Sequence, residues 1–187
     1  MTAIVDYKAG NLTSVKNAFA ALGEPTEVTC DALSLSRADR VVFPGVGAAR
    51  SAMDNLRALG LADAVSRAAA EKPFLGICLG MQILFDRSEE NGGVDGLGVV
   101  AGRVRRFPAA EGFKIPQIGW NSVGDGRDFY FVHSYYAELV PETCLVAEYA
   151  GVKFTAMVRR GRLWACQFHP EKSGRTGLEL LKEWLSC

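Results

Sequence analysis

Apolar and polar positions change their rhythm roughly halfway along the chain. In the first half, short apolar runs alternate with stretches whose apolar residues recur at the spacing of a helix face. Ala3–Asp6, Glu27–Cys30, Arg40–Phe43 and Pro73–Ile77 read as strands. The last is apolar throughout, as a strand covered on both faces requires. Leu12, Val15, Ala18, Phe19 and Leu22 share one face of a helix that Asn11 can cap and that Gly23 and Pro25 end. Ala48–Leu56 and Leu61–Glu71 read as further helices, and another is expected from Leu79 to about Arg87. Beyond Glu89-Glu90-Asn91-Gly92-Gly93 the pattern turns to strands: Val99–Phe107, Phe129–Val132, Cys144–Tyr149, Lys153–Val158 and Leu163–Phe168, with turn-rich links and a closing helix, Gly177–Leu185. This order predicts one mixed α/β domain over residues 1–187, a parallel sheet flanked by helices with an antiparallel part added in the second half.

Charge and cysteine usage narrow the partners. The 187 residues suffice for one proper core, and Lys+Arg and Asp+Glu both number 21, so no basic surplus favours nucleic acid or an anionic membrane. The local groups Arg103, Arg105, Arg106 and Arg159, Arg160, Arg162 read as solvated strand faces. No apolar stretch approaches the length needed to span a bilayer, and the N-terminus lacks the basic and apolar regions of a signal peptide. The five cysteines are scattered with no C-x-x-C, which points to a reducing cytoplasm. The two histidines and the dispersed thiols leave no expected metal site, and no cofactor is called for.

Ligands of open α/β sheets bind at the carboxyl ends of the strands, where Lys8–Asn11, Pro44–Gly47 and Cys78–Gly80 fall. Cys78, in Gly76-Ile77-Cys78-Leu79-Gly80, lies where strand gives way to helix, and its flanking glycines leave room for a nucleophile elbow. A helix starting there would favour a thiolate. Cys30, Cys144 and Cys166 read instead as buried core cysteines. His169 follows the strand ending at Phe168 and is the candidate general base and acid. Glu171, two residues on, would share its face in an extended segment and hold the imidazole, with Pro170 stiffening the pair. An oxyanion would find the backbone N–H of Leu79, and a second donor in Gly45-Val46-Gly47, where Val46 and Gly47 are the candidates. His133 reads as a structural hydrogen-bonder. The competing readings are a cysteine peptidase and a binding subunit without catalysis. The intact Cys78, His169 and Glu171 set argues against the second.

Gly-Ile-Cys-Leu-Gly-Met-Gln with a later Phe-His-Pro-Glu resembles the class I, triad-type glutamine amidotransferases. Asp6-Tyr7 with Gly10-Asn11-Leu12, Pro44–Gly47, Gly119-Trp120-Asn121, Val132-His133-Ser134-Tyr135 and His169–Ser173 resemble the glutaminase subunits of imidazole glycerol phosphate synthases, over Ile4 to Leu185. The resemblance implies a flavodoxin-like fold and hydrolysis of L-glutamine to glutamate and ammonia. It implies a heterodimer whose partner is a (β/α)8 cyclase subunit, fed with ammonia through a channel, in histidine biosynthesis. It also implies that Gly47, Gln82, Glu90, Ser134 and Tyr135 form the glutamine pocket and that Trp120, Asn121 and Lys172 face the cyclase. Gln117 stands where the family often has histidine, Ala49 where it is often aromatic, and Lys8 where it is often glycine. A glutaminase of the same class feeding a different, paralogous synthase is the alternative.

Overall fold

The computed structural model describes residues 1–187. The first half runs β1 (Thr2–Val5), α1 (Leu12–Ala21), β2 (Thr26–Thr29), α2 (Ala32–Arg37), β3 (Arg40–Gly45), α3 (Ala49–Ala58), α4 (Ala62–Glu71), β4 (Phe74–Cys78) and α5 (Leu79–Gln82). There follow β5 (Phe85–Ser88), β6 (Val94–Asp95), β7 (Val100–Arg106), β8 (Gln117–Ser122), β9 (Asp128–His133), β10 (Tyr135–Ala137), β11 (Thr143–Tyr149), β12 (Val152–Arg160), β13 (Leu163–Cys166) and α6 (Gly174–Leu185). The expected helix-capping by Asn11 is present: its side chain accepts from the N–H of Ser14 at 3.3 Å.

Strands β2, β1, β3, β4 and β13 pair in parallel in that order. From β13 the sheet continues antiparallel through β12, β10 and β7, then to β5 and β6, with β11 on the far side of β12. β8 and β9 form a separate antiparallel ribbon. Alternate residues of the parallel strands enter opposite cores. Ala3, Val5, Val41, Phe43 and Phe74 pack with Met53, Leu56 and Val65 of α3 and α4. Ile4, Val42, Leu75 and Ile77 pack with Phe19 of α1 and Trp184 of α6. Helices on both faces are what the unbroken apolar run in β4 demands.

The structure differs from expectation at several points: Cys30 and Cys144, expected in the core, are exposed near strand ends and only Cys166 is buried, and the short strands β6 and β10 were not anticipated. The helix expected from Leu79 to about Arg87 is a single turn, and the chain then leaves it as strand β5, parallel to β7. The apolar residues Ile83, Leu84 and Phe85 serve the core in either geometry, so long-range pairing decides. The short α2, capped by Asp31, and the ribbon strand β8 carry too few apolar residues to announce themselves.

The turn after β4 lies against β3. A Cβ on Gly80 would stand 1.9 Å from the Phe43 carbonyl oxygen, and one on Gly45 would stand 2.2 Å from the Tyr7 hydroxyl. Backbone cannot yield as a flexible side chain can, so Gly80→Ala should lower unfolding stability by about 3 kcal/mol or more, measured by urea denaturation.

Candidate active site

Of the three strand-end segments expected to carry ligands, Pro44–Gly47 and Cys78–Gly80 contribute to one cavity with the His169 segment, whereas Lys8–Asn11 does not line it. A cavity of about 280 Å³ is lined by Val46 and Gly47 after β3, Cys78, Leu79 and Gln82 at the β4–α5 turn, Glu90, Ser134, Tyr135, His169 and Lys172. Cys78 is the last residue of β4 and holds φ 54°, ψ −112°, a strained backbone for any residue but glycine. That conformation is the sharp strand-to-helix bend anticipated from its flanking glycines. The expected helix dipole is slight, because α5 has only four residues. A charge partner for the sulfur comes instead from His169.

His169 and Glu171 are joined through Nδ1 and Oε1 at 2.7 Å, with both side chains buried. Pro170–Lys172 is a 3-10 turn, so Glu171 reaches the ring through a bend and not through the extended face expected from sequence. Pro170 suits the first position of such a turn, where its missing N–H costs nothing. The turn is clamped to the ribbon. The His169 N–H donates to the Tyr130 carbonyl at 2.9 Å, the Ser173 hydroxyl donates to the His169 carbonyl at 2.6 Å, and the Tyr130 N–H donates to the Ser173 oxygen at 3.0 Å. Burial alone would push the His169 pKa down. The adjacent Cys78 sulfur, as charge and as hydrogen-bond partner, and then Glu171 outweigh it and push the pKa up to about 10. The arrangement favours a protonated imidazole beside the sulfur.

His133 shows the opposite balance. Burial, helped by the charge of His169 and opposed by the Tyr135 carbonyl, pushes its pKa down to about 4. Its Nδ1 lies 2.8 Å from the Tyr135 carbonyl and its Nε2 lies 2.9 Å from the Gln117 side-chain amide. A neutral ring fixed at both nitrogens is a structural hydrogen-bonder, as its lack of a carboxylate neighbour suggested.

The other candidates fall into three groups. Val46 and Gly47 border the cavity, and neither backbone N–H makes a hydrogen bond within the chain. Gln82 spends its Nε2 on the Tyr135 carbonyl and on Gln167 Oε1, both at 2.8 Å, so Oε1 is the atom left for a ligand. Glu90 accepts from the Ala49 N–H at 2.7 Å and thereby caps α3, whose own capping position, Ala48, has no side chain to do so. Its neighbour Glu89 turns away to Arg105, at 3.3 Å. Ser134 and Tyr135 line the cavity, with the Tyr135 carbonyl as its hydrogen-bonding centre. Trp120 is 59% exposed on the outer face of β8 beside Ile118, 63% exposed, and packs edge-on to Tyr130. Asn121 is tied down, donating to the Glu148 carbonyl at 3.0 Å. Lys172 lies on the cavity wall. Gln167 escaped the sequence reading: it is buried and points its Nε2 at the Cys78 sulfur, 3.7 Å away. Its place directly before Phe168-His169 was the available signal.

No helix is long and apolar enough to cross a membrane. No group of three or more His, Cys, Asp or Glu side chains is arranged to hold a metal ion.

Because the His169 pKa is raised above its unfolded value near 6.5, the stabilisation it carries is complete below that pH and is lost as pH rises toward about 10. Unfolding free energy should therefore decline across that window, and less so in Cys78→Ala, which removes the charge partner; urea titrations at successive pH values measure both.

The family model described as glutamine amidotransferase class-I matches residues 3–186. The chain is 48% identical over 198 residues to the imidazole glycerol phosphate synthase subunit HisH of Moorella thermoacetica, covering 97% of this chain and 92% of that one. It is 47% identical to the protein of the same name from Dechloromonas aromatica, covering 98% and 94%. It is 44% identical to the chloroplastic imidazole glycerol phosphate synthase hisHF of Arabidopsis thaliana, but spans only 33% of that longer protein. Among solved structures, a glutamine amidotransferase superposes with a TM-score of 0.75 at 23% identity, covering 98% of this chain and 97% of the other. PurLQS from Thermotoga maritima superposes with a TM-score of 0.70 at 16% identity, covering 99% and 97%. At such identities the structural likeness speaks for the fold alone.

Proposed function

The chain belongs to the class-I glutamine amidotransferases, and on that premise we propose that it is the glutaminase subunit of an imidazole glycerol phosphate synthase, with Cys78, His169 and Glu171 as its catalytic triad. The observation that carries the assignment is a sulfur on a strained elbow beside an imidazole whose far nitrogen is 2.7 Å from a buried carboxylate. The Cys78 thiolate attacks the side-chain carbonyl carbon of glutamine. The developing oxyanion is met by the backbone N–H of Leu79 and by a second N–H from Val46 or Gly47. The carbon–nitrogen bond breaks as His169 gives its proton to the departing ammonia, leaving a glutamyl thioester. Water then gives a proton to His169 and its oxygen to the acyl carbon, releasing glutamate and restoring the thiolate. Glu171 holds the ring in the tautomer and orientation both halves need.

The glutamine pocket follows from the free atoms. Gln82 Oε1 and the second oxygen of Glu90 are acceptors suited to the substrate's α-ammonium, with Gly47, Ser134 and Tyr135 completing the wall. The partner is the (β/α)8 cyclase, seated on the outer face of the β8–β9 ribbon, where Trp120 and Ile118 are exposed and where Val132 also borders the cavity. A large exposed aromatic beside an active-site mouth is an anchor of the kind interfaces use. Asn121 and Lys172 belong to the same interface, and ammonia passes from the cavity toward it. A cytoplasmic location belongs to this reading and is supported by the five unpaired cysteines.

Binding of the cyclase and its nucleotide turns the Val46 N–H toward the substrate. The free Val46 N–H supports this, since no bond holds that peptide in one orientation. The isolated chain should therefore hydrolyse glutamine slowly, and the nucleotide-loaded complex faster by about 10²-fold or more, the value of one oxyanion donor. A full rate in the isolated chain would refute the gating. Cys78→Ala should abolish glutaminase activity while the complex still turns over with added ammonium salts. Trp120→Ala should weaken assembly by about 2 kcal/mol, roughly thirtyfold in Kd, measured by calorimetric titration of the cyclase.

A further inference from the structure

The nucleophile has a second polar neighbour that the mechanism above does not use. Gln167 follows β13, is fully buried, and lies between Cys78 and Gln82. The direction of its amide is set by its partners. The Tyr135 carbonyl can only accept, so Gln82 turns its Nε2 toward it, at 2.8 Å. The same Nε2 donates to Gln167 Oε1, also at 2.8 Å. With its oxygen so engaged, Gln167 presents Nε2 to the other side, where the Cys78 sulfur lies at 3.7 Å.

The sulfur also faces the Val132 carbonyl, at 3.8 Å. That oxygen can serve only a protonated thiol, as acceptor of its S–H. A donor serves the ionised sulfur. On the reading that Cys78 is the nucleophile, we propose that Gln167 is a positioning residue of the glutaminase reaction: its side-chain N–H holds the thiolate in one orientation beside the His169 ring, and Gln82 holds that amide in place. Gln82 then has two tasks, its oxygen toward the substrate and its nitrogen toward the group that aims the nucleophile.

Gln167→Met fills the same space without a donor. Glutaminase turnover is measured in the cyclase complex with its nucleotide. Alkylation of Cys78 by iodoacetamide is followed by mass spectrometry of the Cys78 peptide, because Cys30, Cys144 and Cys187 are also exposed to the reagent. Expected are a fall of about tenfold or more in both kcat and the alkylation rate at neutral pH, the worth of one hydrogen bond to a charged group, with KM held within about twofold. The melting temperature should stay close to that of the wild type. A residue that only filled space would lower the melting temperature and leave the alkylation rate of the folded protein unchanged. Should Gln167→Met not fold, Gln167→Asn keeps an amide in the buried cluster but draws it back by one methylene, and must show the same two losses. Wild-type kcat and alkylation in either folded variant would overturn the proposal. A wild-type complex without glutaminase activity would sink the functional reading instead, while the alkylation comparison would still judge Gln167.

Discussion

The position of the Cys78 sulfur depends on two backbones in near contact, the turn at Gly80 and the carbonyl of Phe43. β3 and β4 are paired in parallel to their last residues, with Gly45 opposite Cys78, so the chain has no slack in which to bend gradually. It turns at one residue, and Cys78 takes a left-handed φ that costs about 1–3 kcal/mol. The surrounding strands hold it there. β4 is buried along its length, flanked by β3 on one side and β13 on the other, and Gly76 admits the Ala165 side chain. Rigid neighbours hold the strained residue in place on the wall of the cavity.

The same packing brings a charge partner to the sulfur. β13 is the strand next to β4, and the segment leaving it carries Gln167 and His169 to the elbow. Two buried histidines then behave in opposite ways for one reason. Burial disfavours the charged form of each, but His169 has a carboxylate and a sulfur as compensation, whereas His133 has a carbonyl and an amide. Only the first is equipped to carry a proton at neutral pH. Distance along the chain had little to do with it, since Glu171 reaches its ring through the 3-10 turn that Pro170 favours.

Much of this arrangement was legible in the residues. The β/α rhythm, the Asn11 cap and the apolar β4 rest on local chemistry, which a sequence displays, and the grouping of Cys78 with His169 and Glu171 follows from the strand ends that carry them. The losses are of another kind. Ile83-Leu84-Phe85 satisfies a helix face and a buried strand equally, and the choice is made by β7, whose first residue lies fifteen positions beyond Phe85. β8 alternates glycine and polar residues with Ile118 and Trp120, a pattern whose meaning depends on the ribbon partner β9. Gln167 reads as one more polar residue before a motif, and its relation to the sulfur exists only once Gln82, Tyr135 and Cys78 have been folded against it. Glu90 likewise reads as loop charge until Ala48 is found unable to cap α3.

The ribbon β8–β9 joins the outside of the molecule to its reactive interior by strand alternation alone. Gln117 is buried against the His133 ring, while Ile118, the next residue, is exposed on the opposite face with Trp120. From Gln117 the contacts run inward without a gap: to His133, to the Tyr135 carbonyl, to Gln82, to Gln167 and to the sulfur. From β9 a second line runs through the Tyr130 carbonyl to the backbone of His169. A shift of the ribbon by one residue would exchange its two faces, burying Trp120 and expelling Gln117. The register that leaves an apolar face open beside the cavity is therefore the same register that seats both His133 and His169.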